Sequence, residues 1–229
     1  MLRFIYAKDL ERFPLLTAEM FSDRAKQFRD RLKWEVQVDD RGFEQDAYDK
    51  LGPLYVIWQD STGGHGGSLR LLPTTGPTMI NDHFAHLAVE GPVVDPAIWE
   101  CTRFCLAPSA NGRVAAALML GGGAVLRSFG LDAFVGVFDR SMVRVYRGIG
   151  ASPRIFGAEG PAYQDGIGAG MWHMTPTSEA RVAQRAGISP RLVRQWLLRS
   201  LGNVGRPSGP SDRRALGSRH DPSGSYIFR

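Results

Sequence analysis

Two apolar runs, LYVIWQ at Leu54 to Gln59 and GGSLRLLP at Gly66 to Pro73, flank a turn rich in glycine, STGGHGG. Strand-forming runs joined through glycines predict an antiparallel hairpin. The elements around it follow from hydrophobic periodicity. LLTAEMFSDRAKQFRDRL places apolar residues at Leu16, Met20, Phe21, Phe28 and Leu32, as one or two helices would. WECTRFCLAP, beginning at Trp99, predicts a third strand, and Arg113 to Phe129 a long helix holding three consecutive glycines. DAFVGVFD is a further strand, MVRVYRGIG a helix ending at Gly148 or Gly150, and Gly170 to Met174 a last strand. Helices, a hairpin and then alternating helix and strand predict an α/β class with a mixed, largely antiparallel central sheet flanked by helices.

A chain of 229 residues suits one domain or a domain with an appendage. With 43% hydrophobic and 22% charged residues it has the composition of a globular protein. The longest apolar run, Val114 to Leu126, is too short to span a bilayer. The opening MLRFIYAKDLERF is charged throughout and lacks the pattern of a secretion signal, so a cytoplasmic location without membrane insertion is expected. Cys101 and Cys105 have no third thiol or nearby histidine to complete a metal set, and read as small buried hydrophobes.

The net charge of +5 is unevenly spread. From Thr175 onward ten arginines face Glu179, Asp212 and Asp221, which leaves residues 1–174 slightly acidic. Overall basicity therefore does not argue that the main domain, 1–174, binds nucleic acid. Residues 175–201 read as a pair of short helices broken at AGISP, with a helix-turn-helix character and Arg191, Arg194 and Arg199 available to phosphates. Short helix pairs also commonly cap a sheet, and DNA binding is not the expected role. Residues 202–229 have the composition of a disordered basic tail. Within the main domain, DRSMVRVYRGIGASPR stands out by carrying Arg140, Arg144, Arg147 and Arg154 against Asp139. If Ser141 to Tyr146 is helical, Arg140, Arg144 and Arg147 share a face, either solvated or a docking patch.

WECTRF sets Glu100 and Arg103 three residues apart in an apolar segment, where strand alternation would separate them and a helix would join them. Arginines in apolar strands are costly unless paired. Arg24, Arg70 and Arg103 stand against Glu44, Asp46 and Asp49 of FEQDAYD and against Glu100, an ionic cluster suited to a ligand.

These residues resemble the acyl-homoserine-lactone synthases, the makers of quorum-sensing signals. The resemblance is carried by Arg24 and Phe28, the LKW ending at Trp34, E-x-D-x-Y-D from Glu44 to Asp49, GSLRLLPT around Arg70, Phe84 after TMIND, and W-E-x-x-R-F from Trp99 to Phe104. It implies a fold similar to that of the GCN5-type N-acetyltransferases. It also implies synthesis of an acyl-homoserine lactone from S-adenosylmethionine and an acyl chain, usually on acyl carrier protein, with release of methylthioadenosine. S-adenosylmethionine is then a substrate, and no cofactor or metal is expected. Glu100, directly or through a water, is the expected base that deprotonates the α-ammonium, with Arg103 orienting Glu100 or the substrate carboxylate. Arg24, Asp46, Asp49 and Arg70 are expected to hold the amino-acid moiety, and Trp34 to lie near the sulfonium or adenine. Phe28 and Phe84 are assigned to the same substrate site. Phe104 and Gly136 are assigned to the acyl pocket, and Arg144, Arg147 and Arg154 to docking of the acidic carrier protein.

Coenzyme A acetyltransferases of the broader fold carry a glycine-rich pyrophosphate loop at a helix start. Here Gly121 to Gly123 fall inside a predicted helix, which favours a carrier-protein donor over acyl-CoA. Relatives that read 3-oxo chains tend to place a hydroxyl where Gly136 stands, so a preference for unsubstituted chains is expected. Two other readings remain: an N-acyltransferase using acyl-CoA on another amine, and a binding protein with a C-terminal helix-turn-helix.

Overall fold

The computed structural model describes residues 1–159 and 166–202. One seven-stranded sheet runs through it in the order β1-β2-β3-β4-β5-β7-β6. β1 (Leu2–Tyr6), β2 (Leu54–Gln59), β3 (His65–Pro73) and β4 (Ile98–Leu106) pair antiparallel in succession. β5 (Ala133–Asp139) lies parallel to β4, then pairs antiparallel with β7 (Ile167–Trp172), which carries β6 (Arg154–Glu159) at the edge. The expected class, mixed and largely antiparallel with flanking helices, is what the chain adopts. The predicted hairpin is β2–β3. β1 and β6, which are not foretold by periodicity, lie at the two edges of the sheet, where one side needs no partner. β7 begins at Ile167 rather than Gly170, because pairing to strands on both sides holds the weak strand former IGAG extended.

Helices cover both faces. α1 (Pro14–Ala25) runs into a π-helical turn at Lys26–Arg31, followed by α2 (Met79–His83), α3 (Gly112–Phe129), α4 (Met142–Ile149), α5 (Pro176–Ala186) and α6 (Pro190–Leu201). Alternation on the central strands sends Leu54, Val56, Leu69 and Leu71 into the core beneath α3, while Tyr55 and Ile57 pack against Met20 and Phe21 of α1. Leu72 meets Met79, Ile80 and Phe84 on that second face. With both faces buried, β2 and β3 read in sequence as nearly continuous apolar runs.

α3 is unbroken through its three glycines. It is opened by the Asn111 side chain, which accepts from the Arg113 amide, and closed by Gly130 in the left-handed region at φ 66°. A Cβ on Gly121 would lie 2.7 Å from Val56 Cγ1 of β2, and one on Gly123 2.9 Å from Met174 in the segment after β7, so the glycines let the helix sit close on the sheet and on the chain that leaves it. α5 and α6 turn at Gly187 (φ 66°) and send Val182, Ala186, Val193 and Leu197 into the same core as α3. The helix pair read as 175–201 thus shares the sheet's core. Arg191, Arg194 and Arg199 are exposed. Residues 203–229, which make up nearly all of the predicted tail, lie outside those described.

Candidate active site

The site begins with an irregularity in β4. Ser68 and Arg70 of β3 pair with Cys105 and Thr102, so β4 carries one residue more than its partner between these points. The extra residue opens a bulge, and Arg103 takes φ +52°, uncommon for a residue other than glycine. Trp99 and Cys101 face the α3 core. Glu100 and Thr102 face the α1–α2 side, and the bulge turns Arg103 to that side as well, where strict alternation would send it into the core. Phe104 then packs against the α3 core.

On that side three arginines meet three carboxylates. Arg24, at the end of α1, donates to Glu44 Oε2 at 2.6 Å and, through both terminal nitrogens, to the two oxygens of Asp49 at 2.9 Å. Arg70 donates to Asp46 through both terminal nitrogens, to Asp49 Oδ1 at 2.8 Å and to Thr102 Oγ1 at 3.0 Å. Arg103 donates to Glu44 Oε1 at 2.9 Å and lies 2.8 Å from Asp46 Oδ2. All three guanidiniums are buried and their charge is matched one for one. The acids are placed locally. Glu44 is held by a bridge to Val38. Asp46 caps the 3-10 turn Ala47–Lys50, and Asp49 returns a bond to the Asp46 amide at 2.8 Å, a capping box. Burial works against ionisation of Asp46 and Asp49, but Arg70 with Arg103, and Arg70 with Arg24, outweigh it and hold both carboxyls below the usual range, Asp49 well below.

Glu100 is not paired with Arg103. Its Oε2 accepts from the Met79 amide at 3.0 Å and Oε1 from the Ile80 amide at 2.6 Å, so the carboxyl caps the first turn of α2. Burial pushes its pKa up to about 7, against the two amides, which favour the charged form. The expectation that Arg103 orients Glu100 is therefore corrected: backbone amides of α2 do so, because the bulge points Arg103 at Glu44 and Asp46.

β4 and β5 pair only from Ile98 to Glu100, opposite Ala133 to Val135, and part beyond. A cavity of about 350 Å³ occupies the gap and passes from one face of the sheet to the other. On the α1 face it is walled by Phe28, Trp34, Thr102 and Arg103, and on the α3 face by Met119, Leu126 and Phe134. Phe104, Phe138, Tyr146 and Trp172 line it between. Phe28 and Trp34 stack at 5.0 Å with an 11° tilt, and the Arg103 guanidinium lies 5.3 Å from the Phe28 ring.

Of the residues singled out from sequence, Phe28, Trp34, Arg103 and Phe104 line the cavity. Arg24, Asp46, Asp49, Arg70 and Glu100 lie behind its wall, where they hold Arg103 and α2 in place. Phe84 packs with Leu72 and Ile80 and is core. Gly136 is corrected as an acyl-pocket residue: a Cβ there would meet the Cys101 carbonyl oxygen at 2.7 Å, so glycine is needed for the close approach of β4 and β5 and contributes no lining. Glu44 is the ion-cluster member left out of the assigned set, although the same acidic run contains it. Arg144 and Arg147 are exposed on α4, Arg140 lies in the turn before it, and Arg154 is exposed at the start of β6. Arg147 shares a hollow of about 250 Å³ with Arg181 and Arg185 of α5, and Arg181 also reaches the main cavity. Burial pushes both the Cys101 and Cys105 thiols up to about 12, as inert side chains. Asp23, His65 and Ser68 form a further buried chain, 2.9 and 3.1 Å long at its two links, but none of them lines the cavity, so it serves as a strut between α1 and β3.

The chain as a whole, in sequence and in fold, is matched in known proteins. Residues 10–184 match the model of the autoinducer synthase family. An acyl-homoserine-lactone synthase of Rhizobium etli is 41% identical over 182 residues, 76% of this chain and 85% of that protein. One from Ralstonia solanacearum is 35% identical over 136 residues, 56% of this chain and 67% of that one. Among solved structures, the CoA-dependent acyl-homoserine lactone synthase MesI superposes with a TM-score of 0.71 at 25% identity, over 82% of this chain and 96% of its own. BjaI, solved with SAM and isopentyl-CoA, shares the fold with a TM-score of 0.72 at 23% identity, over 82% and 90%. The protein is thus an acyltransferase. It belongs to the autoinducer synthase family.

Proposed function

We propose that the chain makes an N-acyl-homoserine lactone from S-adenosylmethionine, used as a substrate, and an acyl thioester, in the cytoplasm where both are formed. The observation that carries this reading is the cavity through the sheet. Its α1 end offers one buried guanidinium, Arg103, beside a stacked Phe28–Trp34 pair, and the rest is largely apolar and aromatic. Arg103 receives the carboxylate of the methionyl moiety, and the Trp34 face attracts the sulfonium. The acyl chain occupies the aromatic end.

The ammonium loses its proton before it attacks the thioester carbonyl. Glu100, with a pKa of about 7, is matched to that task near neutrality, whereas Asp46 and Asp49 are too weakly basic. Because Glu100 stands behind the wall, the proton reaches it through a water. The amine then bonds to the carbonyl carbon and the thiol leaves. In the second step the methionyl carboxylate attacks its own γ-carbon, the carbon–sulfonium bond breaks, and neutral methylthioadenosine departs. That step needs alignment, which the guanidinium supplies.

Acyl carrier protein is the proposed donor. The exposed basic surface around Arg144, Arg147 and Arg154, widened by Arg181 and Arg185 at the cavity mouth, complements an acidic carrier. The test is to incubate the purified protein with S-adenosylmethionine and either acyl carrier protein or coenzyme A thioesters, and to detect methylthioadenosine and lactone by mass. Acylation of another amine without methylthioadenosine would replace the reading with a plain N-acyltransferase.

A further inference from the structure

The wall of the cavity holds one buried hydroxyl without a task. Tyr146, on α4, is 6% exposed and lines the cavity. Its ring is held edge-on by Trp172 at 5.1 Å, Phe138 at 5.6 Å and Phe104 at 6.3 Å, so its direction is set by packing. The hydroxyl makes no hydrogen bond among the described residues. It is not sealed either, since among the described residues Thr78 Oγ1 is the fully buried side-chain polar atom left without a partner. It therefore opens onto the cavity. Of the other polar groups nearby, Thr102 accepts from Arg70, Trp172 donates to the Ala151 carbonyl at 3.0 Å, Ser141 and Ser152 are exposed at the rim, and the half-buried Asp139 acts on the phenol through its charge, which favours the protonated hydroxyl.

The geometry points to Tyr146 as a specificity-determining residue that hydrogen-bonds an oxygen carried by the acyl chain, a keto or hydroxyl group close to its carbonyl. This rests on the lactone-synthase reading and names its substrate class. A buried phenol opposite an unsubstituted chain keeps its bonding capacity unmet, whereas an oxygenated chain satisfies it. Burial pushes the phenol's pKa up, so it stays protonated and able to donate. The preference is the opposite of the one drawn from the missing side chain at Gly136, which does not line the cavity.

The test compares kcat/KM for 3-oxo, 3-hydroxy and unsubstituted thioesters of one chain length, with the full-length protein and with Tyr146→Phe. The full-length protein is expected to favour one of the oxygenated donors by about tenfold. Tyr146→Phe, which keeps the ring contacts, is expected to collapse that ratio toward one. A preference for the unsubstituted chain, or an unchanged ratio in the variant, overturns the assignment. Methylthioadenosine release from any donor shows that the underlying reaction stands; its absence with every donor overturns both readings together. Equal melting temperatures of the two proteins show that a lost ratio is not lost folding.

Discussion

Glu100 and Arg103, three residues apart on β4, project from the same face of the sheet because Arg103 sits in a bulge at φ +52°. The bulge aims a guanidinium into the cavity while Glu100 stays behind the wall. Lysine at position 103 keeps the charge but lacks the planar fork that reaches Glu44 and Asp46 together. Arg103→Lys is expected to lower kcat/KM for S-adenosylmethionine by about ten- to a hundredfold while leaving the far-ultraviolet circular dichroism unchanged. Wild-type kinetics in this variant would remove the guanidinium from substrate recognition.

Glu100→Gln is expected to reduce turnover by about two orders of magnitude, as loss of a general base does. In the wild type kcat should rise through about pH 7 with the Glu100 carboxyl, and the variant should lack that limb. A folded variant that turns over at near the normal rate would exclude Glu100 from the proton path.

The same carboxyl affects stability. Its folded pKa, about 7, is above the ordinary value of 4.5, so the folded state holds the proton longer than the unfolded chain does. Its contribution is complete below pH 4.5 and is lost as pH rises to 7, up to about 3 kcal/mol. Asp46 and Asp49 act oppositely and in a lower range, where their depressed pKa values remove stability as pH falls. Urea midpoints between pH 5 and 7.5 should show the wild type losing stability relative to Glu100→Gln as pH rises. A constant gap between the two curves would contradict the shift.

Asp49 ties together Arg24, Arg70 and the Tyr55 hydroxyl, the last at 2.6 Å. Asp49→Asn removes the carboxylate that Arg24 and Arg70 share, leaves the buried cluster one negative charge short, and should cost about 3–5 kcal/mol in urea unfolding. Tyr55→Phe, which removes only a hydroxyl, should cost about 1 kcal/mol. Similar losses for the two variants would mean that the cluster is not acting as an ionic unit.

Reversing Arg147 and Arg154 to Glu should raise the KM for acyl carrier protein about tenfold at low salt, less at physiological ionic strength where exposed charges are screened within about 8 Å. The KM for S-adenosylmethionine should stay within about twofold, since neither residue lines the main cavity. An equal rise for both substrates would indicate a damaged fold, and no rise would place carrier docking elsewhere.

Local patterns make much of this protein legible in its residues alone. Glycines between two apolar runs specify the β2–β3 hairpin, and the spacing from Arg113 to Phe129 specifies α3, because turn chemistry and side-chain periodicity act over a few residues. The ionic residues are legible for a similar reason: arginines in apolar segments require partners, and the acids of FEQDAYD are the available ones. Strand alternation, however, misplaces Arg103. The bulge that moves it exists only through pairing with β3, some thirty residues away in the chain. Which residues line the cavity is likewise decided by the parting of β4 from β5, which brings together Phe28, Arg103, Phe134, Tyr146 and Trp172 from separate elements. Gly136 shows the boundary between the two kinds of information. Its residue type is plain in the sequence, but only the Cys101 carbonyl oxygen, 2.7 Å from where a Cβ would stand, reveals that the missing side chain serves strand packing and not the acyl chain.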